Sequence, residues 1–192
     1  TWILVSESTW LAADSGENKG KIVADGESVY DNPKAKRIIG YVADDNEYVP
    51  AYSPEKMANM YQCFYPQFDM EKFNSLNDIF KLPLEKSIRS FSKGQKMRLA
   101  IMLEIARKPK YLILDEPASP LDPLMRERLC EMIQAYIEDG NGERSVFFST
   151  HNVSDMENIT DYAIIMEHGK IVEEGFVDDL KEVVKNSQNQ NL

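Results

Sequence analysis

The chain has 192 residues, 43% of them hydrophobic, which is enough for one well-packed domain with a subdomain inserted into it. Its 22 Lys and Arg residues against 32 Asp and Glu residues give a formal net charge of −10, which argues against nucleic acid as a partner. No apolar run approaches the roughly 18 residues that cross a bilayer, and no basic-then-apolar leader opens the chain. We therefore expect a cytoplasmic protein that binds small molecules or other proteins.

Both cysteines fall in segments with helical periodicity and lack the spacing of metal ligands. For Cys63 and Cys130 alike, we expect a buried free thiol in preference to a disulfide or a metal ligand.

Two strands are predicted in the first part of the chain. Lys21–Ala24 is a short β-branched segment closed by the turn Asp25-Gly26, and residues 37–42 form a second apolar segment. The second strand ends at Asp44 and Asp45, so it places acidic side chains at its carboxyl end.

Residues 46–97 are predicted to be mostly helical. Ser53 and Pro54 are typical of a helix start, with the serine as N-cap and the proline at the first position. The apolar positions that follow at helical spacing are Met57, Met60, Tyr61 and Phe64. Pro66 ends this helix, and Met70–Phe80 forms the next one.

The pentapeptide FSKGQ at residues 91–95 precedes a long apolar run over residues 97–106. A serine and a glycine in this position put a hydroxyl and an unobstructed backbone at a helix N-terminus, where free N–H groups and the helix dipole attract anions. The pattern predicts a helix end that binds phosphate.

The second half of the chain alternates strands and helices. Tyr111–Leu114 is a short apolar run that delivers Asp115 and Glu116 at its carboxyl end, as expected of a buried parallel strand. An amphipathic helix from Pro123 to about Glu138 follows the segment SPLD at residues 119–122. The predicted strand Ser145–Thr150 ends at His151, and residues 161–167 and 170–173 form a hairpin.

Three predicted strands thus carry polar side chains where they end. Asp44 and Asp45, the pair Asp115 and Glu116, and His151 should emerge at one edge of one sheet, where ligands bind in open α/β folds. Carboxylates there can hold Mg²⁺ and orient a water molecule, and a histidine can contact a phosphate oxygen. Taken alone, Asp115 and Glu116 could equally be a solvated strand end before a turn-forming proline.

In this order, four short elements resemble motifs of ABC-type ATPases: the signature (residues 92–95), Walker B (111–116), the D-loop (119–122) and the H-loop (149–151). The resemblance extends from about Lys19 to Gly175. It implies an α/β fold, a RecA-like P-loop NTPase core with a parallel sheet and an inserted helical subdomain. The implied core comprises residues 1–45 and 107–178, the helical subdomain 46–106, and a C-terminal helix with a polar tail 179–192.

The resemblance also implies a role for each matching residue. Asp115 would contact Mg²⁺ through water, Glu116 would act as general base, and His151 would meet the γ-phosphate and orient the glutamate. The residues that would face the nucleotide held by a second, head-to-tail subunit are Ser92, Lys93, Gly94, Gln95 and Asp122.

Two departures from the family pattern stand out. The 192 residues contain no G-x-x-x-x-G-K-[ST] loop, and the lookalike at residues 16–22 has wrong spacing and is expected to be a turn. Aligning residues 11–13 with the end of the family's first helix leaves that loop without a match, so we expect an N-terminally incomplete domain. At the Q-loop, Asp44 replaces the family's Gln and still offers an oxygen to Mg²⁺.

The expected function is that of a subunit that binds and hydrolyses ATP with Mg²⁺ and energises transport through separate transmembrane permease subunits. Such a subunit pairs with a second ABC ATPase and lies at the inner face of the membrane. The sequence resembles stand-alone ATPases of bacterial exporters.

One alternative is a non-catalytic subunit that contributes its signature motif to a partner's ATP site. Another, a soluble ABC ATPase of DNA repair or translation, would need basic surfaces or a long coiled-coil insertion. The face formed by Met57 and its helical neighbours is either ordinary core or a contact with the membrane partner.

Overall fold

The computed structural model describes residues 2–5, 12–14, 21–152, 156–168 and 170–181. The strands are β1 (Trp2–Val5), β2 (Ala12–Asp14), β3 (Lys21–Ala24), β4 (Glu27–Ser28), β5 (Ile39–Val42), β6 (Tyr111–Leu114), β7 (Ser145–Thr150), β8 (Tyr162–Glu167) and β9 (Lys170–Phe176). The helices are α1 (Pro33–Arg37), α2 (Pro54–Phe64), α3 (Met70–Phe80), α4 (Lys93–Arg107) and α5 (Pro123–Glu138).

A six-stranded sheet in the order β5-β6-β7-β1-β8-β9 forms the centre, and β2-β3-β4 form a separate antiparallel sheet. Strands β5, β6 and β7 are parallel and in register, with Val42 opposite Leu114 and Leu114 opposite Phe148. The predicted parallel sheet is therefore confirmed for the three strands whose ends carry the candidate residues. Strand β1 runs antiparallel to both β7 and β8, so the whole sheet is mixed.

Two expectations about the front of the chain are wrong. Residue 37 belongs to helix α1 and not to a strand, because the Asn32 side chain accepts hydrogen bonds from the amides of Lys34 (3.1 Å) and Ala35 (3.3 Å) and a proline follows it. Strand β5 begins only at Ile39. Ala12–Asp14, aligned above with a helix end, is strand β2 and pairs with β3.

Helices α2, α3 and α4 have the bounds that their capping residues dictate. The Ser53 hydroxyl accepts from the Lys56 amide at 3.3 Å, and the Asp69 carboxylate accepts from the Lys72 amide at 2.8 Å. The apolar faces of these helices pack into one core with the parallel strands, and α4 contributes more buried residues to it than any other described helix. Its fully buried side chains are Met97, Leu99, Ile101, Met102, Leu103 and Ile105.

A buried ion pair fixes the end of α4 to the start of β5. Arg107 Nε lies 2.9 Å from Glu104 Oε2, and the Arg107 guanidinium also donates to the carbonyl of Ile39. The Tyr61 hydroxyl donates to Glu104 Oε1 at 3.3 Å, which adds α2 to the cluster. Burial raises the pKa of Glu104, and the charge of Arg107 opposes that rise. Because removing either charge would strand the other in the core, the pair holds α4 and β5 together.

Three predictions about single side chains have mixed outcomes. Cys63 is exposed, so the prediction of a buried thiol is wrong there, while Cys130 is half-buried with its sulfur 3.7 Å from Met156 Sδ. On α2, Met57 belongs to the core but Phe64 is 68% exposed, so this face is only partly core.

In the described part of the chain, no helix has both the length and the apolarity to span a membrane. The predicted polar tail lies outside the described residues.

Candidate functional site

The ends of β6 and β7 bring two carboxylates, a hydroxyl and an imidazole together. We call Asp115, Glu116, Ser149 and His151 the strand edge. Asp115 continues the sheet, since its amide donates to the carbonyl of Val42 at 2.8 Å. Glu116 then turns the chain with φ of +47°, in the left-handed region that residues other than glycine rarely adopt. Backbone strain of this kind concentrates at functional sites.

The Ser149 hydroxyl connects the two acidic residues. Its Oγ donates to Asp115 Oδ1 at 2.6 Å and accepts from the amide of Glu116 at 2.9 Å. A hydroxyl has one proton, so both contacts together fix its orientation. Ser149 entered the sequence analysis only as context for the histidine; its position two residues before His151, near the carboxyl end of β7, was the signal available.

His151 contacts the side chain of Glu116. Its Nε2 lies 3.1 Å from Glu116 Oε1, and its amide donates to Glu116 Oε2 at 3.4 Å. Glu116 is largely buried whereas the imidazole is 76% exposed. Glu116 Oε1 is buried and accepts no hydrogen bond from the described residues, although His151 Nε2 lies 3.1 Å away. A carboxylate held beside an imidazole at the end of a parallel strand is a candidate general base.

The second group of candidate residues begins helix α4. We call Ser92, Lys93, Gly94 and Gln95 the helix start. Ser92 Oγ accepts from the Gln95 amide at 3.2 Å, and Gln95 Oε1 accepts from the Ser92 amide at 3.0 Å, which forms a capping box. The box uses an acceptor of each side chain and leaves the serine O–H and the glutamine NH₂ as donors. With the Lys93 ammonium and the first helix amides, these donors fit an anion.

Gly94 is the point where the helix start meets the loop after β6. A Cβ added to Gly94 would lie 2.6 Å from the carbonyl oxygen of Pro120, closer than a real Cβ approaches backbone. The same loop ends at Asp122, whose carboxylate accepts from the Met125 amide at 3.1 Å and so caps helix α5. Asp122 is exposed. Glycine is therefore required here for packing within the chain, independently of any ligand.

Asp44 pairs with Lys93 of the helix start. The two distances from Lys93 Nζ are 2.7 Å to Asp44 Oδ1 and 2.8 Å to Asp44 Oδ2. Both side chains are about half exposed, so the pair contributes roughly 0–1 kcal/mol to stability. An open cleft of about 280 Å³ lies beside the pair. Its lining residues are Asp44, Asp45, Asn46, Lys93, Lys96 and Met97.

The described residues contain no group of three or more His, Cys, Asp or Glu side chains arranged to hold a metal ion. That arrangement is compatible with Mg²⁺ bound together with a nucleotide, because this ion keeps several waters and needs only one or two carboxylates besides phosphate oxygens. Asp115 is the carboxylate available at the strand edge. Asp44, the other predicted metal ligand, pairs with the Lys93 ammonium, and its role toward Mg²⁺ stays a prediction.

The structure thus brings Glu116, His151 and Asp115 together, and it joins the helix start to Asp44 through Lys93. It adds Ser149 to the first group. The functional roles of these residues stay predictions.

Comparison with known proteins agrees with this geometry. A family model described as "ABC transporter" matches residues 8–119, more than half of the chain. The ABC transporter ATP-binding protein YtrB of Bacillus subtilis is 26% identical over 166 residues, 86% of this chain and 56% of that protein. The bacitracin transport ATP-binding protein BcrA of Bacillus licheniformis is 28% identical over 169 residues, 84% of this chain and 53% of that protein. The chain spans about half the length of the curated relatives it matches.

Solved structures share the fold. One described as an ATP-binding subunit of an ABC transporter superposes with a TM-score of 0.75 at 23% identity, over 88% of this chain and 71% of that one. CbiO1 from Clostridium perfringens, part of the ABC transporter complex CbiONQ, gives a TM-score of 0.62 at 22% identity, over 88% of this chain and 72% of that one. Family model, relatives and fold agree: the chain belongs to the ABC transporter family and has the α/β fold of its ATP-binding domains.

Proposed function

We propose that this chain is the ATP-binding and ATP-hydrolysing part of a subunit that energises transport through separate membrane subunits. The observation that carries the proposal is the strand edge, where one strand end holds Glu116 in a left-handed turn and the next holds His151 3.1 Å from it. A carboxylate that is held beside an imidazole at the end of a parallel strand fits a general base. The relatives YtrB and BcrA are named as ATP-binding proteins of transporters.

Each residue has a proposed task. Glu116 takes the proton of the attacking water, and His151 holds the carboxylate in place while its exposed ring reaches the γ-phosphate. Asp115 contacts Mg²⁺ directly or through water; the ion would neutralise phosphate charge. Residues 46–106 form the helical subdomain, and residues 1–45 and 107–178 the core.

The helix start would serve a nucleotide bound by a second ABC subunit in a head-to-tail dimer. Its capping box supports this role, since Ser92 and Gln95 keep donors for phosphate oxygens after capping the helix. Asp122, exposed at the start of α5, would lie at the same interface. Membrane subunits would recruit the protein to the inner face of the membrane.

Ser92 offers a test that separates folding from function. We define the loop-completed version as this chain extended at its N-terminus by a segment that carries a G-x-x-x-x-G-K-[ST] loop. In it, Ser92→Asp keeps a good helix cap but sets a negative charge against phosphate, whereas Ser92→Thr keeps cap and donor. We expect the aspartate to cut ATP turnover about 10–100-fold at unchanged thermal stability, and the threonine to retain turnover. Equal turnover in both variants would contradict the proposal.

The second candidate is a non-catalytic subunit that completes a partner's ATP site. The complete capping box favours it, because this helix end can serve a partner's nucleotide without a phosphate-binding loop of its own chain. Calorimetric titration of the 192-residue chain with Mg-ATP tests the underlying point: without groups that wrap the β- and γ-phosphates, we expect no micromolar binding. A micromolar dissociation constant would show that the chain binds nucleotide by itself.

A further inference from the structure

We propose that Ser149 is a positioning residue of the strand edge. Its hydroxyl orients the Asp115 carboxylate and also holds the backbone amide of Glu116. The proposal rests on the proposed function, because it concerns the same carboxylates. It adds a residue that acts through others and does not itself contact the nucleotide.

First, the Ser149 hydroxyl makes two hydrogen bonds, one to each of the neighbouring acidic residues. Ser149 Oγ donates its single proton to Asp115 Oδ1 at 2.6 Å, and a lone pair accepts the Glu116 amide at 2.9 Å. The donated proton fixes one carboxylate oxygen of Asp115 and leaves Oδ2 without a hydrogen bond from the described residues. The free oxygen is the one that can face Mg²⁺ or its water.

The second step is the backbone of Glu116. The Asp115 amide still bonds to Val42 O in the sheet, but the chain turns left-handed at Glu116 with φ of +47°. The Glu116 amide therefore leaves the ladder and finds its acceptor in the Ser149 side chain. Without that acceptor, the Glu116 amide would lose its hydrogen-bond partner among the described residues.

The third step is the placement of Ser149 on β7. His151 follows two residues later along the same strand direction, and its Nε2 lies 3.1 Å from Glu116 Oε1. One strand end thus holds Glu116 at both its backbone and its carboxylate. A loss of the Ser149 hydroxyl should displace the Glu116 side chain from His151 even though neither group is changed.

The test compares Ser149→Thr with Ser149→Val, two side chains of nearly equal shape that differ in the hydroxyl. In the full chain, we expect the valine to speed amide hydrogen exchange at Glu116 at least tenfold relative to the threonine, measured by NMR. The Asp115 amide, which bonds to Val42 O, serves as the internal control and should change less than twofold. If the branched side chains prevent folding, Ser149→Ala against the unchanged protein gives the same readout.

Turnover gives the second readout. In the loop-completed version, the valine should lower kcat about tenfold with KM for ATP within twofold, and the threonine should restore kcat. Equal Glu116 exchange in the two variants would overturn the proposal, as would faster exchange with unchanged kcat, which would make Ser149 a folding residue only. If the unsubstituted loop-completed version hydrolyses no ATP, the proposed function fails, whereas the exchange result still decides whether Ser149 holds Glu116.

Discussion

The strand edge offers carboxylate oxygens, which accept hydrogen bonds and are held in place by neighbouring donors. The helix start offers mainly N–H and O–H donors, because the side-chain oxygens of Ser92 and Gln95 already accept the capping bonds. At the strand edge, Ser149 and His151 bind Asp115 and Glu116 and leave carboxylate oxygens for a metal or water. At the helix start, the capping box uses oxygens of Ser92 and Gln95 and leaves O–H and N–H groups, while the Lys93 ammonium pairs with Asp44. Under the proposed function, these two groups are half-sites of opposite chemistry, one for the attacking water and metal and one for phosphate.

The largest expected effect concerns the base at the strand edge. In the loop-completed version, Glu116→Gln should lower turnover roughly 10²–10⁴-fold while nucleotide binding persists, because the amide keeps the shape and loses the basicity. Steady-state ATPase assays measure it, with Glu127→Gln on the exposed face of α5 as control. Near-normal turnover would show that Glu116 is not the base.

Stability at the helix start depends on Gly94. Gly94→Ala should lower the free energy of unfolding by about 1–3 kcal/mol, because the new Cβ would meet the Pro120 carbonyl oxygen at 2.6 Å. Urea unfolding measures it. The matched control is Gly175→Ala, where the nearest atom is Leu180 Cδ2 at 3.4 Å and the expected change is small. An equal effect of both substitutions would remove the packing argument.

Asp44 tests whether the two half-sites share a metal ligand. Since Lys93 already neutralises Asp44, we expect Asp44→Gln to keep ATPase activity within about tenfold, roughly 1.4 kcal/mol of barrier. We also expect its dependence on free Mg²⁺ to match that of the unsubstituted version within about twofold. A flatter Mg²⁺ dependence in the variant would instead identify Asp44 as a metal ligand, as the sequence predicts.

The smallest effect lies away from both half-sites. Hydrogen bonds from Lys110 (2.8 Å) and Tyr111 (2.6 Å) hold the pKa of Asp25 below its ordinary value of 3.8. A folded-state pKa that is lowered adds stability above the unfolded pKa, and this stability is lost as the pH falls below about 4. Asp25→Asn should therefore flatten the fall in unfolding free energy between about pH 4 and pH 2.

The control for that substitution is Asp31→Asn. Both aspartates are exposed and have φ of +51°, so the effect of asparagine on the backbone cancels. Unfolding curves with equal acid slopes for the two variants would contradict the role of the Lys110 and Tyr111 contacts.

Local patterns in the sequence predicted most of the fold from residue 53 onward. Helix bounds at Ser53, Met70–Phe80 and Pro123–Glu138 follow from caps and prolines, which are local signals, and the structure confirms them. Helix α1 is a five-residue element held by the Asn32 cap, too short for periodicity to reveal.

Contacts between distant residues were less predictable. The pairing of Asp44 with Lys93 spans 49 positions, and that of Ser149 with Asp115 spans 34. No local pattern encodes such pairings, because they depend on which strands become neighbours. The motif order predicted which residues gather at the carboxyl ends of the parallel strands. It did not predict that Lys93 would form an ion pair with Asp44.

The central claim is that the two half-sites act together only between two chains. Two loop-completed versions, one with Glu116→Gln and one with Ser92→Asp, should each keep at most about a tenth of the turnover alone and should regain activity when they are mixed. Half of the dimers then contain one of each chain and each has one complete site of two, so the account predicts about one quarter of the unsubstituted activity. Activity that stays at the sum of the two separate variants would contradict the account and place both half-sites within one chain.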